Sequence, residues 1–491
     1  MVTVSARAKK ALLAAGFVLG ILLLGLLCFY KLGVGELCDW DEARHAVSAY
    51  EMIQTGEPIV TTYEYSNDYW NLKPPLSEWF IALGYKVFGC NTVGLRFYSA
   101  VSMFLAALAV AAFLWRRYGR VEAVFSLYAF MAVSTLFSYH AARHGDADAL
   151  FILCDTLSLV CLCEGRRDFR WVYGACLAFS FAFLAKGFHA GTIAVTVLLM
   201  LLLLGYFPRM KFWQYALCAL CSLGPAGCWA LARLWKDGPK FLISMFTYDV
   251  VARATGNPEG HAALPIHFFG VILHTNSLLY LLAIGLLILF GGWYWLRREG
   301  TSRPAFFDSD LFLSVLAVAV PFLIFSAAKT KIDWYILPLY PALVLWASVS
   351  LHYVLQNKSL RFGTALAALA FVVCIGVSVK NVKEIAFDVT SSPSAVSQLL
   401  TPVGSLDKAH TYITNDVGSS WDGSGWNGTE WRQVQLTEAE WLTDCTPRQG
   451  GIAAFEKDPG SYLIVVNSRL EELAQYPVVA QTEHYSLLSN S

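Results

Sequence analysis

The chain has 491 residues, 56% of them hydrophobic and 15% charged, and a mean hydropathy of +0.50. Soluble domains carry less apolar and more charged material, so the composition predicts an integral membrane protein. Lys plus Arg and Asp plus Glu number 36 each, and this zero net charge, with no basic tail or zinc-finger spacing, excludes a nucleic-acid partner.

Taking about 17–25 apolar residues as one membrane crossing, the hydropathy pattern predicts helices near 11–30, 93–115, 121–139, 149–163, 171–185, 188–206, 212–231, 270–296, 311–328, 334–356 and 363–379. The first follows Arg7, Lys9 and Lys10, is long enough to span and lacks a small-residue cleavage site, so it reads as a retained helix rather than a signal peptide. With every span counted, Arg7-Lys9-Lys10, Arg116-Arg117-Arg120, Arg166-Arg167-Arg170, Arg209-Lys211, Arg297-Arg298-Arg303 and Lys358-Arg361 fall on one side. An excess of Lys and Arg in short loops marks the cytoplasmic side. The opposite, exoplasmic face receives loops 31–92, 140–148, 232–269 and 329–333 and everything after about 380.

The expected architecture is a polytopic α-helical membrane unit over 1–379 and a small exoplasmic α/β domain over 380–491. In the latter, Ser461 to Val466 reads as a buried strand, and Leu436 to Leu442 and Leu470 to Leu473 as helix pieces. Asn427-Gly-Thr429 fits a glycosylation acceptor, a triplet common by chance. Eight of the twelve cysteines lie in apolar runs and act as small hydrophobes. Cys38 and Cys90, at the two ends of the first loop, are placed to pair in an oxidising compartment.

Ionisable groups at a membrane boundary are costly unless paired, hydrated or functional, and five exoplasmic clusters qualify. The first contains Asp41-Glu42 and Arg44-His45: paired acids can supply a general base or metal ligand, or merely stabilise a helix start capped by Asp41. Further on, Lys73 precedes Pro74-Pro75, which favours an extended backbone that could present the ammonium to an anion. The second cluster is Arg143-His144-Gly-Asp146-Ala-Asp148, where two carboxylates suit a divalent cation, or Asp146 caps a helix. Third is Lys186-Gly-Phe-His189, a phosphate contact or a snorkelling lysine. Fourth, Asp249, Arg253, His261 and His267 suggest an anion site, or a metal ligand from His261. Fifth, Lys329-Thr-Lys331 with Tyr335 is either an interfacial belt or a place where cations neutralise a lipid-linked phosphate. The chain contains no Walker loop, dinucleotide fingerprint, Gly-x-Ser-x-Gly elbow or His-Glu-x-x-His motif, which argues against nucleotide-fuelled chemistry.

The order Asp41-Glu-Ala-Arg44, Lys73-Pro-Pro-Leu-x-x-Trp79, Arg143 with Asp148-Ala-Leu, Ala185-Lys-Gly187 and Lys331-x-x-x-Tyr335-x-Leu-Pro-x-Tyr-Pro341 resembles the GT-C glycosyltransferases of the dolichyl-phosphate-mannose protein mannosyltransferase superfamily. The branch it most resembles contains the bacterial lipid A aminoarabinose transferase. The resemblance implies a multi-pass enzyme of the inner (plasma) membrane. It would move a sugar from a polyprenyl-phosphate carrier to a lipid, glycan or protein acceptor on the periplasmic or extracellular side. By motif position, Asp41 would be the principal catalytic carboxylate and Asp148 the second acid, with Glu42 beside them. Lys73, Arg44, Lys331 and Tyr335 would surround the carrier phosphate, Arg253 and His261 would join from the loop, and His45, Asp146 and Lys186 are further substrate or metal contacts.

Aminoarabinose transferases carry an acid immediately before the Lys-Pro-Pro lysine, which with a loop histidine binds a metal; Leu72 stands there in this chain, and His45 stands where a tyrosine is usual. A divalent metal ion therefore stays an open alternative. A transporter or flippase of lipid-linked saccharides is the competing reading; it would place ionisable groups near mid-membrane and break helices in paired halves.

Overall fold

The computed structural model describes residues 5–256, 263–297, 307–356, 361–414 and 432–491. Eight segments among these are long and apolar enough to cross a bilayer: Arg7–Phe29, Thr92–Arg117, Arg170–Leu203, Phe212–Asp237, Leu278–Leu296, Asp310–Ala327, Asp333–Gln356 and Phe362–Phe387. The expected spans 171–185 and 188–206 fall in one of these, interrupted by Gly187 at φ 59 and a 3-10 turn over Gly187–Ala190. The expected 121–139 helix stops at Met131. The expected 149–163 helix is Ala147–Gly165, whose Asp148, Asp155 and Glu164 make it less apolar than the others. The expected 270–296 helix divides at Asn276-Ser277 into His267–Thr275 and Leu278–Leu296. At the basic end of the bundle, buried Asp310 accepts hydrogen bonds from the Tyr118 hydroxyl at 2.7 Å and from Arg166 and Arg167, tying three helix ends together.

Between the bundle and the C-terminal unit lies the Asp41–Thr55 helix, buried continuously from Glu42 to Met52. Asp41 was expected to cap it. Trp40 does so instead, at φ 77, and Asp41 is the first helical residue, where its charge and that of Glu42 favour the positive end of the helix. Gly56, at φ 69, ends the helix in the left-handed conformation that glycine adopts without cost. The Lys-Pro-Pro turn leads into Leu76–Phe88, a helix of 13 residues that is too short to cross a bilayer. It buries Leu76, Ile81 and Tyr85, while Phe80, Leu83 and Val87 face outward, the pattern of a helix lying along an interface. At Gly84 an added Cβ would stand 2.1 Å from the Gly94 carbonyl oxygen, so only glycine lets this helix press onto Thr92–Arg117.

The last long helix runs on to Phe387, so the α/β unit starts several residues later than 380. Its five-stranded sheet has the order Thr446–Pro447, His410–Thr414, Tyr462–Val466, Tyr485–Ser489, Val478–Gln481. The first three strands are parallel and the last two antiparallel to their neighbours. Ile413, Ile464 and Leu487 pack with Leu399 and Leu400 and with Leu436 and Ala439 of the Gln433–Thr443 helix; Val47 of the Asp41–Thr55 helix is buried in the same cluster. Asn427 to Thr429 lie outside the described residues. Cys38 and Cys90, whose pairing the sequence left open, are free thiols in this structure, as are the other ten cysteines.

The C-terminal unit grips the Asp41–Thr55 helix with polar contacts as well. Thr437 Oγ1 donates to the Ala43 carbonyl at 3.0 Å, the Val434 amide donates to Asp39 Oδ1 at 3.1 Å, and Arg432 pairs with Glu64. Where the two helices cross, fully buried Glu51 and Glu440 face each other, and Glu51 Oε2 and both Glu440 oxygens lack any other hydrogen-bond partner. A proton held between the two carboxyls would supply the missing bond. Burial pushes the Glu51 carboxyl up from 4.5 to about 7, and burial together with Glu51 holds Glu440 well above the carboxylate range.

Between pH 4.5 and about 7 the folded chain therefore holds a Glu51 proton that the unfolded chain has released, and stability falls as pH rises through this window. Thermal unfolding of the full chain in detergent is expected to show a midpoint that drops from pH 5 to pH 8, by the equivalent of roughly 3 kcal/mol at most. Glu51→Gln should flatten that dependence, and an unchanged pH profile in this variant would refute the shared proton.

Candidate active site

One cavity of about 340 Å³ opens where the Asp41–Thr55 helix, the Lys-Pro-Pro turn and the helix break at Gly187 meet. Trp40, Asp41 and Arg44 come from the helix start, and Trp70, Asn71, Leu72 and Lys73 from the turn. Lys186 and His189 come from the break, Tyr248, Asp249 and Arg253 from the segment after Lys240–Phe246, and Ile332, Trp334 and Tyr335 from the turn at 332–336.

Lys73, held ahead of two prolines, extends its Nζ to 2.6 Å from Asp41 Oδ1. Burial works against both charges, but the pair overrides it: Lys73 keeps the Asp41 carboxyl below its ordinary value, and Asp41 raises the Lys73 ammonium. Both are therefore charged at neutral pH. Lys186, at the end of Arg170–Lys186, pairs with Asp148 in the first turn of Ala147–Gly165, and its Nζ lies 5.4 Å from the Tyr335 ring centre. Arg253 donates to the Tyr335 hydroxyl and has Asp249 at 3.4 Å. His189 meets the Tyr335 ring edge-on at 4.5 Å. Asp41, Lys73, Lys186, Arg253 and Tyr335 thus share one cavity, with Asp148 directly behind Lys186.

Other residues singled out in the sequence sit elsewhere or are already engaged. Glu42 points into the core, where it accepts from Arg96 at 2.6 and 2.9 Å, from the Cys38 amide at 3.0 Å and from the Gly145 amide at 2.9 Å. Burial opposes its charge, yet Arg96 holds it down at about 2, so Glu42 is a structural anion and not a cavity base. Arg44 lines the cavity, but its guanidinium is clamped bidentately by Asp68 at 3.0 and 2.9 Å. Lys331 is turned from the cavity and donates to the Ala328 carbonyl. His45 is buried behind Asp41, with Nδ1 at 3.3 Å from the Gly145 carbonyl oxygen and Nε2 at 3.6 Å from Glu78; burial lowers it to about 4 and so keeps it neutral. Arg143 donates to the carbonyls of Leu27, Tyr30 and Lys31 at the end of the first helix. His261 lies outside the described residues.

Asp146 caps the Ala147–Gly165 helix through the Ala147 amide at 2.6 Å, and its other oxygen meets His140 Nδ1 at 2.5 Å. An added Cβ at Gly145 would stand 2.4 Å from Leu95, so glycine lets this link lie against the Thr92–Arg117 helix. One donor atom each from Asp41, His140 and Asp146 fall within 4.8 Å of one another, as do atoms of Cys38, Glu42 and His144. The first trio is the set able to hold a divalent ion, although Lys73 already sits on Asp41; in the second, Glu42 is committed to Arg96. Leu72 is on the cavity wall and offers no ligand.

Comparison with known proteins follows this geometry. Residues 72–229 match the family model described as dolichyl-phosphate-mannose-protein mannosyltransferase. An undecaprenyl phosphate-alpha-4-amino-4-deoxy-L-arabinose arabinosyl transferase of Yersinia pestis (strain Pestoides F) is 30% identical over 395 residues, covering 75% of this chain and 65% of that one. The corresponding transferase 2 of Pseudomonas fluorescens (strain Pf0-1) is 30% identical over 368 residues, covering 70% and 61%. The chain spans less than two thirds of the length of these relatives.

Over the whole fold, ArnT from Cupriavidus metallidurans bound to undecaprenyl phosphate superposes with a TM-score of 0.69 at 16% identity, covering 99% of both chains. The Archaeoglobus fulgidus oligosaccharyltransferase in the apo form superposes with a TM-score of 0.59 at 11% identity, covering 95% of this chain and 71% of that one. The chain has the fold of the GT-C class of polytopic membrane glycosyltransferases, with a small C-terminal sheet domain. Within that class it resembles the branch of the aminoarabinose transferases.

The missed residues are those whose role depends on a distant partner. Asp68 and Arg96, which fix Arg44 and Glu42, lie in no pattern that names their partners. Breaking a buried ion pair from one side costs about 3–5 kcal/mol. Arg96→Met is accordingly expected to lower the thermal midpoint sharply and Lys331→Ala to leave it almost unchanged. Equal midpoints for the two variants would contradict the assignment of Glu42 to the core.

Proposed function

We propose that this chain is a membrane glycosyltransferase that moves a sugar from a polyprenyl-phosphate carrier to an acceptor on the exoplasmic side of the inner membrane. The observation that carries the reading is a charged Asp41–Lys73 pair in a cavity that also presents Lys186, Arg253 and Tyr335. The basic loops collect at the end of the bundle opposite this cavity, which supports a periplasmic or extracellular site. Lipid, glycan and protein acceptors all fit the reading.

The carrier phosphodiester is an anion and needs cations where its lipid chain meets the interface. Lys73, Lys186 and Arg253, with the Tyr335 hydroxyl as a further donor, supply them. Each cation has a carboxylate partner, so the resting site is neutralised and an arriving phosphate competes with Asp41, Asp148 and Asp249. When Lys73 moves onto the phosphate, Asp41 is freed as an ionised carboxylate. It then orients the acceptor nucleophile and takes its proton while that oxygen attacks the anomeric carbon. The bond from that carbon to the phosphate oxygen breaks, and the leaving phosphate keeps the electron pair under the field of the cations. A single displacement inverts the anomeric centre. Asp41 on the cavity wall, with His140 and Asp146 behind it, would be the residues to hold a divalent ion, and entry there would displace Lys73 from Asp41.

The test is transfer of radiolabelled sugar from lipid-linked donors in membranes containing wild type, Asp41→Asn or Lys73→Ala. Losses of about 10²–10⁴-fold for Asp41→Asn and about 10²–10³-fold for Lys73→Ala are expected, with normal yield of folded protein. Full transfer by both variants would remove this function from the cavity.

A further inference from the structure

The wall of the cavity next to Asp41 is aromatic. Trp40 and Trp70 stack at 6.0 Å between ring centres with planes 26° apart, and Tyr248 meets Trp70 edge-on at 5.7 Å. Both indoles are half-buried and line the cavity. Trp40 holds a left-handed backbone at φ 77, ψ −112, a conformation that costs a residue with a Cβ about 1–3 kcal/mol and persists where the surroundings enforce it, commonly at functional sites.

The enforcement is visible. The Arg44 amide donates to the Trp40 carbonyl at 2.8 Å, and Asp68, which clamps the Arg44 side chain, also accepts from the Trp70 amide at 2.8 Å. The Arg44–Asp68 pair thus ties the Trp70 backbone, and the first turn of the helix ties that of Trp40. Asn71, next in the chain and also on the wall, adds a neutral polar group. Of the acids on the wall, Asp41 is spent on Lys73 and Asp249 on Arg253.

Resting on the carrier reading above, we infer that Trp40 and Trp70 form the platform for the glycosyl ring of the donor. An indole face is a large, rigid apolar surface suited to the C–H face of a sugar ring. Asn71 suits a sugar hydroxyl.

The experiment is equilibrium binding to the full chain in lipid nanodiscs of three probes: undecaprenyl phosphate, undecaprenyl phosphate-glucose, and undecaprenyl phosphate-4-amino-4-deoxyarabinose. The glucose carrier should bind about tenfold more tightly than the bare carrier, the increment of one good aromatic contact. The amino-sugar carrier, whose ring also offers a C–H face, should gain over the bare one as well. Trp70→Ala should erase the glucose increment while leaving the bare carrier's affinity as in wild type, and Trp70→Phe should retain most of it. A glucose carrier that binds no more tightly than the bare carrier, or a loss in Trp70→Ala as large for the bare carrier as for the glucose carrier, would overturn the platform. Failure of wild type to bind any of the three would instead defeat the carrier reading itself, so the two outcomes are distinct.

Discussion

The structure turns on the ion pair between Lys73 and Asp41. Two full charges sit in a largely enclosed cavity, where desolvation is costly and the attraction offsets it only at close range and good geometry. That constraint explains the local architecture. Two prolines fix the backbone after Lys73, and a tryptophan at positive φ fixes the helix start that carries Asp41. A pair held this way is easily opened by a third charge. On the function proposed above, a phosphate that offers Lys73 a better partner would release a carboxylate beside it, so that anion binding and activation of the base would be one event.

The C-terminal unit belongs to the same device. It packs on the helix whose first residue is Asp41, shares a core with Val47, and meets Glu51 with Glu440. Buried groups that depend on one another across a domain boundary resist sliding, because displacement would leave carboxyls without their shared proton. The sheet domain therefore fixes the helix from above while the Glu42–Arg96 pair fixes it from below. The helix end that carries Asp41 is held from both sides, which fixes the charges of the cavity in place.

Much of this was legible in the sequence. Long apolar stretches with Lys and Arg gathered in alternate loops gave the polytopic class, and Lys73-Pro-Pro with Asp41 near a helix start marked the chemistry. The part that was not legible follows from helix geometry. Adjacent residues on a helix point about 100° apart, so Asp41 and Arg44, three apart, share the cavity face, while Glu42 and His45, also three apart, share the core face. Sequence spacing shows two faces and not which one is inside. Asp68, Arg96 and the two indoles gain their roles only from contacts across the fold. Lys331 looked like a phosphate ligand by position, but one turn of chain separates it from Tyr335, and only Tyr335 reaches the cavity.

The central claim is that the cations of this cavity receive a polyprenyl phosphate beside Asp41. A cryo-electron microscopy map of the full chain in nanodiscs with undecaprenyl phosphate tests it most directly. The account predicts phosphate density within hydrogen-bond reach of Lys73, Lys186 and Arg253, with Lys73 drawn away from Asp41. Density for the phosphate on another surface, with the Lys73–Asp41 pair still closed, would contradict it.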